Sequence, residues 1–135
     1  MVTARKISRT RLVVYWILTV YLAFESILSA VWDFNWLNKG YATNLMQHLG
    51  YPHYFLVIKG ICTLFAAPVF ILPGLRLLKE WAYFGTFLIY ICAIASHLAV
   101  GDSVQALIAP IIFLFIALAS WALRPDSRKS QFAQR

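Results

Sequence analysis

Apolar residues fall in four long blocks, 12–32, 54–72, 81–100 and 104–123, each nearly free of charge and separated from the next by polar, turn-forming residues. Each block has about the ~20 residues that a helix rising ~1.5 Å per residue needs to cross ~30 Å of hydrocarbon. The pattern predicts four transmembrane helices joined by one long and two short connections. Pro73-Gly74 stops the second helix, and Lys79-Glu80-Trp81 starts the third, with the acid near the positive end of the helix dipole. Gly101-Asp102-Ser103 makes the last tight turn, with Asp102 or Ser103 as N-cap. Pro68 and Pro110 lie inside blocks but need not break them, because packed neighbours can satisfy freed carbonyls.

The connection 33–53 is long enough to hold structure. Tyr41, Leu45, His48 and Leu49 share one helical face, and Gly50 stands where a C′ stop belongs, before Tyr51-Pro52. These residues predict a short surface helix capping the bundle, with an irregular loop as the alternative. The tail from Arg124-Pro125 onward is polar and expected to be loose.

Charge then orients the spans. Of the twelve Lys and Arg, ten lie in the N-terminal segment (Arg5, Lys6, Arg9, Arg11), the second connection (Arg76, Lys79) or the tail (Arg124, Arg128, Lys129, Arg135). The other two connections hold only Lys39, and Lys59 lies inside a block. By the positive-inside rule both termini face the cytoplasm. Tryptophan placement agrees: Trp81 and Trp121 mark the cytoplasmic interface, with Trp16 a turn deeper, and Trp32 and Trp36 mark the opposite one.

Composition narrows the class further. A mean hydropathy of +0.72 with 61% hydrophobic residues fits a membrane protein, and 135 residues leave room for one domain, 1–135. The net charge of +7 sits in short flanks beside spans, where it sets topology and meets anionic lipid, so no nucleic-acid partner is expected. The first apolar run is longer than a signal-peptide core and contains Glu25, which favours an uncleaved span. Cys62 and Cys92 form no metal or redox spacing and are expected to be buried apolar fillers, with Cys92 off the His97 stripe and no disulfide between them.

Three strings carry a family likeness: His48-Leu49-Gly50-Tyr51-Pro52-x-Tyr54-Phe55, Lys79-Glu80-Trp81-Ala82-Tyr83 and Ser96-His97-Leu98-Ala99-x-Gly101-Asp102. Glu25-Ser26, Trp32-Asp33 and Ser120-Trp121-Ala122-Leu123-Arg124-Pro125 extend it over nearly the whole chain. Together they resemble the DoxX-like family of small four-span bacterial membrane proteins. That resemblance implies an all-α, antiparallel four-helix transmembrane bundle in a bacterial inner membrane. The wider group includes a subunit associated with thiosulfate:quinone oxidoreductase. The family's second span usually carries a Lys three residues after a Gly. Here Thr63 holds that place after Gly60, and Lys59 lies one turn earlier on the same face.

The intramembrane polar residues supply the candidate site. Glu25 lies roughly 10 Å below the outer end of its span, and Lys59 roughly 7–8 Å below, with Thr63 a turn deeper. His97 is three residues from the outer end of the third span, beside Asp102. Glu25 shares a stripe with Tyr21, Ser29 and Trp32, Lys59 with Thr63 and Ala66, and His97 with Thr86, Tyr90 and Ala93. A lone charge facing lipid costs at least ~2.5–3.5 kcal/mol, so pairing inside the bundle is cheaper. Glu25, Lys59, Thr63, His97, Asp102 and Tyr90 are expected to line one outward-facing pocket, roofed by the surface helix and His48. Glu25 is expected to approach Lys59 or His97 closely enough for a direct or single-water contact. The structural alternative has a Glu25–Lys59 pair setting helix register, His97 satisfying Asp102, or Lys59 snorkelling to the interface. Tyr21, Tyr90 and Phe70 read as bundle core before they read as a quinone slot.

No catalytic motif or metal spacing accompanies this cluster. The expected role is a non-enzymatic membrane subunit, or a component binding a small ligand or partner, with no cofactor. The alternative is a quinone-linked oxidoreductase component in which His97, Glu25 and Lys59 handle protons. The lipid bilayer is the expected environment, with a membrane or redox partner subunit or a homodimer as further partners.

Overall fold

The computed structural model describes residues 7–37 and 39–130, and among these it is all helical. The helices are α1 (Arg9–Asp33), α2 (Tyr41–His48), α3 (His53–Ile71), α4 (Arg76–Val100) and α5 (Val104–Leu123), followed by one 3₁₀ turn (Asp126–Arg128). α1, α3, α4 and α5 are long and apolar enough to cross a membrane, so all four expected spans form. α1 packs against α3 and α5, and α4 packs against the same two, so each neighbouring pair runs antiparallel and α1 lies diagonal to α4.

Small residues let the helices approach. Ala23, Ser26 and Ala30 on α1, Gly60 and Ala67 on α3, and Ala117 and Ser120 on α5 are all buried. In lipid there is little hydrophobic drive between helices, so close backbone packing and hydrogen bonds hold them together. At Gly60 the approach is tight: an added Cβ would lie 3.1 Å from Asp33 Cβ and 3.1 Å from Phe34 Cζ. Leu22, Ala23, Phe70, Tyr83 and Ala117 form the apolar centre, which places Phe70 in the core as expected. Phe65, Phe84 and Phe115 are instead exposed on the outside of the bundle, where lipid chains would lie.

A directed chain of hydroxyls runs through this core. Tyr83 donates to Ser120 Oγ (2.7 Å), Ser120 to Thr19 Oγ1 (2.9 Å), and Thr19 to the Tyr15 carbonyl (2.7 Å). The last bond fixes the direction of the other two, since Thr19 has one proton to give.

Several local expectations need correction. α4 starts at Arg76, five residues before the block 81–100, because Leu77 and Leu78 extend the helix past the hydrophobic boundary. Lys79, one of the flanking charges expected to meet anionic lipid, turns inward instead. It is 1% exposed and donates to the carbonyls of Val69 (2.7 Å) and Leu72. Arg124 is equally buried, and residues 124–130 fold back on the bundle instead of hanging loose. Arg128 reaches the Phe70 and Ile71 carbonyls (3.1 and 3.0 Å) and lies over the Trp16 ring, 4.4 Å from its centroid. Arg11 donates to the Ala122 carbonyl (3.2 Å). α3 and α5 both end here, so these cations meet the unsatisfied carbonyls and negative dipole ends of two helices. Arg5, Lys6 and Arg135 lie outside the described residues.

Candidate functional site

The opposite end of the bundle is closed by α2, the surface helix that the hydrophobic face predicted. Gly50 takes the left-handed φ of 84° there, while Tyr51 and Gly50 donate to the Met46 and Gln47 carbonyls. This is the glycine stop expected from the sequence. The helix is rotated from the expected face: Ala42 is its buried residue, and Leu45 and Met46 also turn inward, while Tyr41 and His48 stay exposed.

His48 nevertheless fastens α2 to the rest of the bundle. Its Nε2 donates to Asp102 Oδ1 (2.7 Å), and His97 Nδ1 donates to Asp102 Oδ2 (2.6 Å). Gly101, at φ 76°, turns the chain so that the Asp102 amide bonds the His97 carbonyl. The Asp102 carboxyl is thereby aimed back at the His97 ring. Asp102 therefore serves two imidazoles rather than capping α5, whose N-cap is Ser103. Those two hydrogen bonds hold its carboxyl below the usual carboxylate value of 3.8.

Beneath this latch, one cavity of about 220 Å³ is lined by Glu25, Lys59, Thr63, Tyr90 and His97, together with Ser29. Five of the seven expected pocket residues thus share one wall. Asp102 and His48 are held to it through His97. Thr63 presents little chemistry, because its hydroxyl is spent on the Lys59 and Gly60 carbonyls (both 3.1 Å). A second cavity of about 320 Å³, mostly apolar, shares Glu25, Ser29 and Lys59 with the first and extends under α2.

The direct pairings inside the cluster differ from the direct ones expected. Glu25 contacts neither Lys59 nor His97 directly: Tyr90 donates to its Oε2 at 2.5 Å, across the diagonal of the bundle. Lys59 instead lies 2.6 Å from Asp33 Oδ2 and donates to Ser29 Oγ (3.1 Å). With 13% of its side chain exposed, Lys59 does not snorkel. Asp33 was missed because the apolar block ends at Trp32, which makes the next residue look like loop. α1 continues one residue further and carries the carboxylate inward. The Trp32-Asp33 string was the available signal.

Aromatic rings complete the walls. Tyr21 and Tyr90 both stack with Phe113, with centroids 6.3 and 5.6 Å away. Tyr51 donates to Ser96 Oγ (2.8 Å), whose own proton goes to the Cys92 carbonyl (2.6 Å). Cys62 and Cys92 are both free and exposed, not buried fillers. Cys92 also contributes to the cavity that His97 lines.

A protein-family model, described as the DoxX-like family, matches residues 17–120. No curated protein and no solved structure matches the chain.

Proposed function

The chain belongs to the DoxX-like family of proteins, and on that premise we propose that it is a non-enzymatic, ligand-binding component of a cell inner membrane. Four apolar helices make it an integral membrane protein. In this reading both termini are cytoplasmic, and the cavity under α2 lies in the outer half of the bilayer. It receives a small molecule with one polar end and an apolar body.

The observation that carries the reading is the cavity of about 220 Å³, which gathers Glu25, Lys59, Tyr90 and His97 from three helices. A few convergent polar groups set among apolar walls are the usual make-up of a small-molecule site. Polar side chains within membrane spans also point to function by default, because each is costly to keep there.

Gently solubilised protein should release one small molecule per chain in mass spectrometry. Ala93→Phe, which places a ring in the cavity wall, should lack it. Equal retention by the A93F variant, or no bound molecule in either protein, would count against the site.

The stack of Tyr21, Phe113 and Tyr90 beside Glu25 favours a second reading, a quinone-linked redox component. A quinone in the same extract would select it.

A further inference from the structure

The two cavities meet at Glu25, Ser29 and Lys59, and the charges at that junction do not balance. The Lys59 ammonium lies 2.6 Å from Asp33, whose side chain is 5% exposed, and also donates to Ser29 Oγ. Glu25 is then a second carboxylate with no cation of its own. It accepts one hydrogen bond from Tyr90 at Oε2, and among the described residues none donates to Oε1. The other groups facing it are few. Asp33 is on its own helix, Lys59 comes from α3, Tyr90 and His97 come from α4, and α2 and α5 bring the uncharged Met46 and Phe113.

Beside this carboxylate, the cavity of about 320 Å³ is walled by five aromatic rings: Tyr21, Phe24, Trp32, Tyr41 and Phe113. A carboxylate in apolar surroundings is costly until something neutralises it. Aromatic faces carry negative potential and attract desolvated cations, quaternary ammonium above all. An anionic head would meet two carboxylates against one ammonium.

Given the ligand-binding reading above, on which this inference rests, we propose that the joined cavities take a lipophilic ammonium ion. Its cationic head lies at Glu25 Oε1, and its alkyl or aryl body lies along the Tyr21, Trp32 and Phe113 side. The head competes with a proton for Glu25, so affinity falls on acidification. Two sources share this chemistry: a free amphipathic amine and the ammonium head of a zwitterionic lipid.

Radiolabelled decyltrimethylammonium is the probe, titrated against the full chain in nanodiscs of an uncharged glycolipid, with empty discs subtracted. Saturable binding of one equivalent is expected, weakened about tenfold or more in Glu25→Gln, kept in Glu25→Asp, and not displaced by decyl sulfate or decanol. Phosphatidylethanolamine added to the discs separates the sources: competition assigns a lipid head, and its absence assigns a free amine. Equal affinity in the E25Q variant would overturn the proposal. So would equal binding of decyl sulfate or decanol by the unaltered protein, a comparison that needs no variant to fold. If those uncharged or anionic probes bind and Leu28→Trp blocks them, the cavity reading stands and the cation inference alone fails. No saturable binding of any probe would sink both.

Discussion

Lys59 Nζ lies 2.6 Å from Asp33 Oδ2, joining the second turn of α3 to the last residue of α1. Gly60 makes that approach possible, because a side chain there would press on Asp33 and Phe34. Both charges are largely withdrawn from solvent, with 13% and 5% of their side chains exposed. Removing one partner should therefore strand the other. Asp33→Asn should lower stability by about 3–5 kcal/mol in detergent melting, and the double change with Lys59→Met should recover much of it. Additive losses would mean that the pair does not couple. Glu25→Gln should cost far less, since Glu25 holds no buried cation and the amide can still accept from Tyr90.

The Asp102 latch gives a dependence on pH. Its carboxyl is held below 3.8, so its contribution is complete above that value and fades as pH falls through the lower folded value. Asp102→Asn should loosen α2 at neutral pH, seen as faster hydrogen exchange across Tyr41–His48. The unaltered protein should lose the same protection, taken relative to the intrinsic exchange rate at each pH, only on acidification below 3.8. Unchanged exchange in D102N would show that α2 is held by its apolar face alone.

At the other end, Arg124 makes a two-pronged contact with Glu80, at 2.8 and 3.2 Å, while lying over the Tyr83 and Trp121 rings. Glu80 also accepts from Trp121 Nε1 (3.2 Å) and the Ser130 amide (3.4 Å), which ties the tail to α4. Glu80→Gln should cost about 2 kcal/mol, within the range for a charged hydrogen bond. Arg124→Lys should not preserve stability, because an ammonium cannot reproduce the planar fork. A melting temperature unchanged by both substitutions would contradict this role for the tail.

Orientation can be tested with single cysteines once Cys62 and Cys92 are replaced, since both native thiols are exposed. Cysteines at Lys39 and Ser103 should react with a membrane-impermeant reagent in intact cells. One at Arg76 should react only after permeabilisation. All three positions are exposed, so silence at any of them reports its side of the membrane. The reverse pattern would place the Glu25 cavity on the cytoplasmic side.

Span number, the α2 helix with its Gly50 stop, and the gathering of Glu25, Lys59, Thr63, Tyr90 and His97 were all legible in the chain. Each follows from a local rule: the length of an apolar run, the left-handed turn that glycine permits, or the face on which helical periodicity sets a residue. Periodicity gives the face of a helix but not the neighbour it meets or their relative height. Those depend on how the four helices rotate and slide until small residues such as Gly60 interlock. That packing gave Lys59 to Asp33 and left Glu25 to Tyr90 on the diagonal helix. It also turned Lys79, Arg124 and Arg128, which read as surface anchors, onto the carbonyl ends of α3 and α5 and onto Glu80. Charge count along a sequence sets which end is basic. Only the folded bundle decides which unsatisfied helix ends those charges cap.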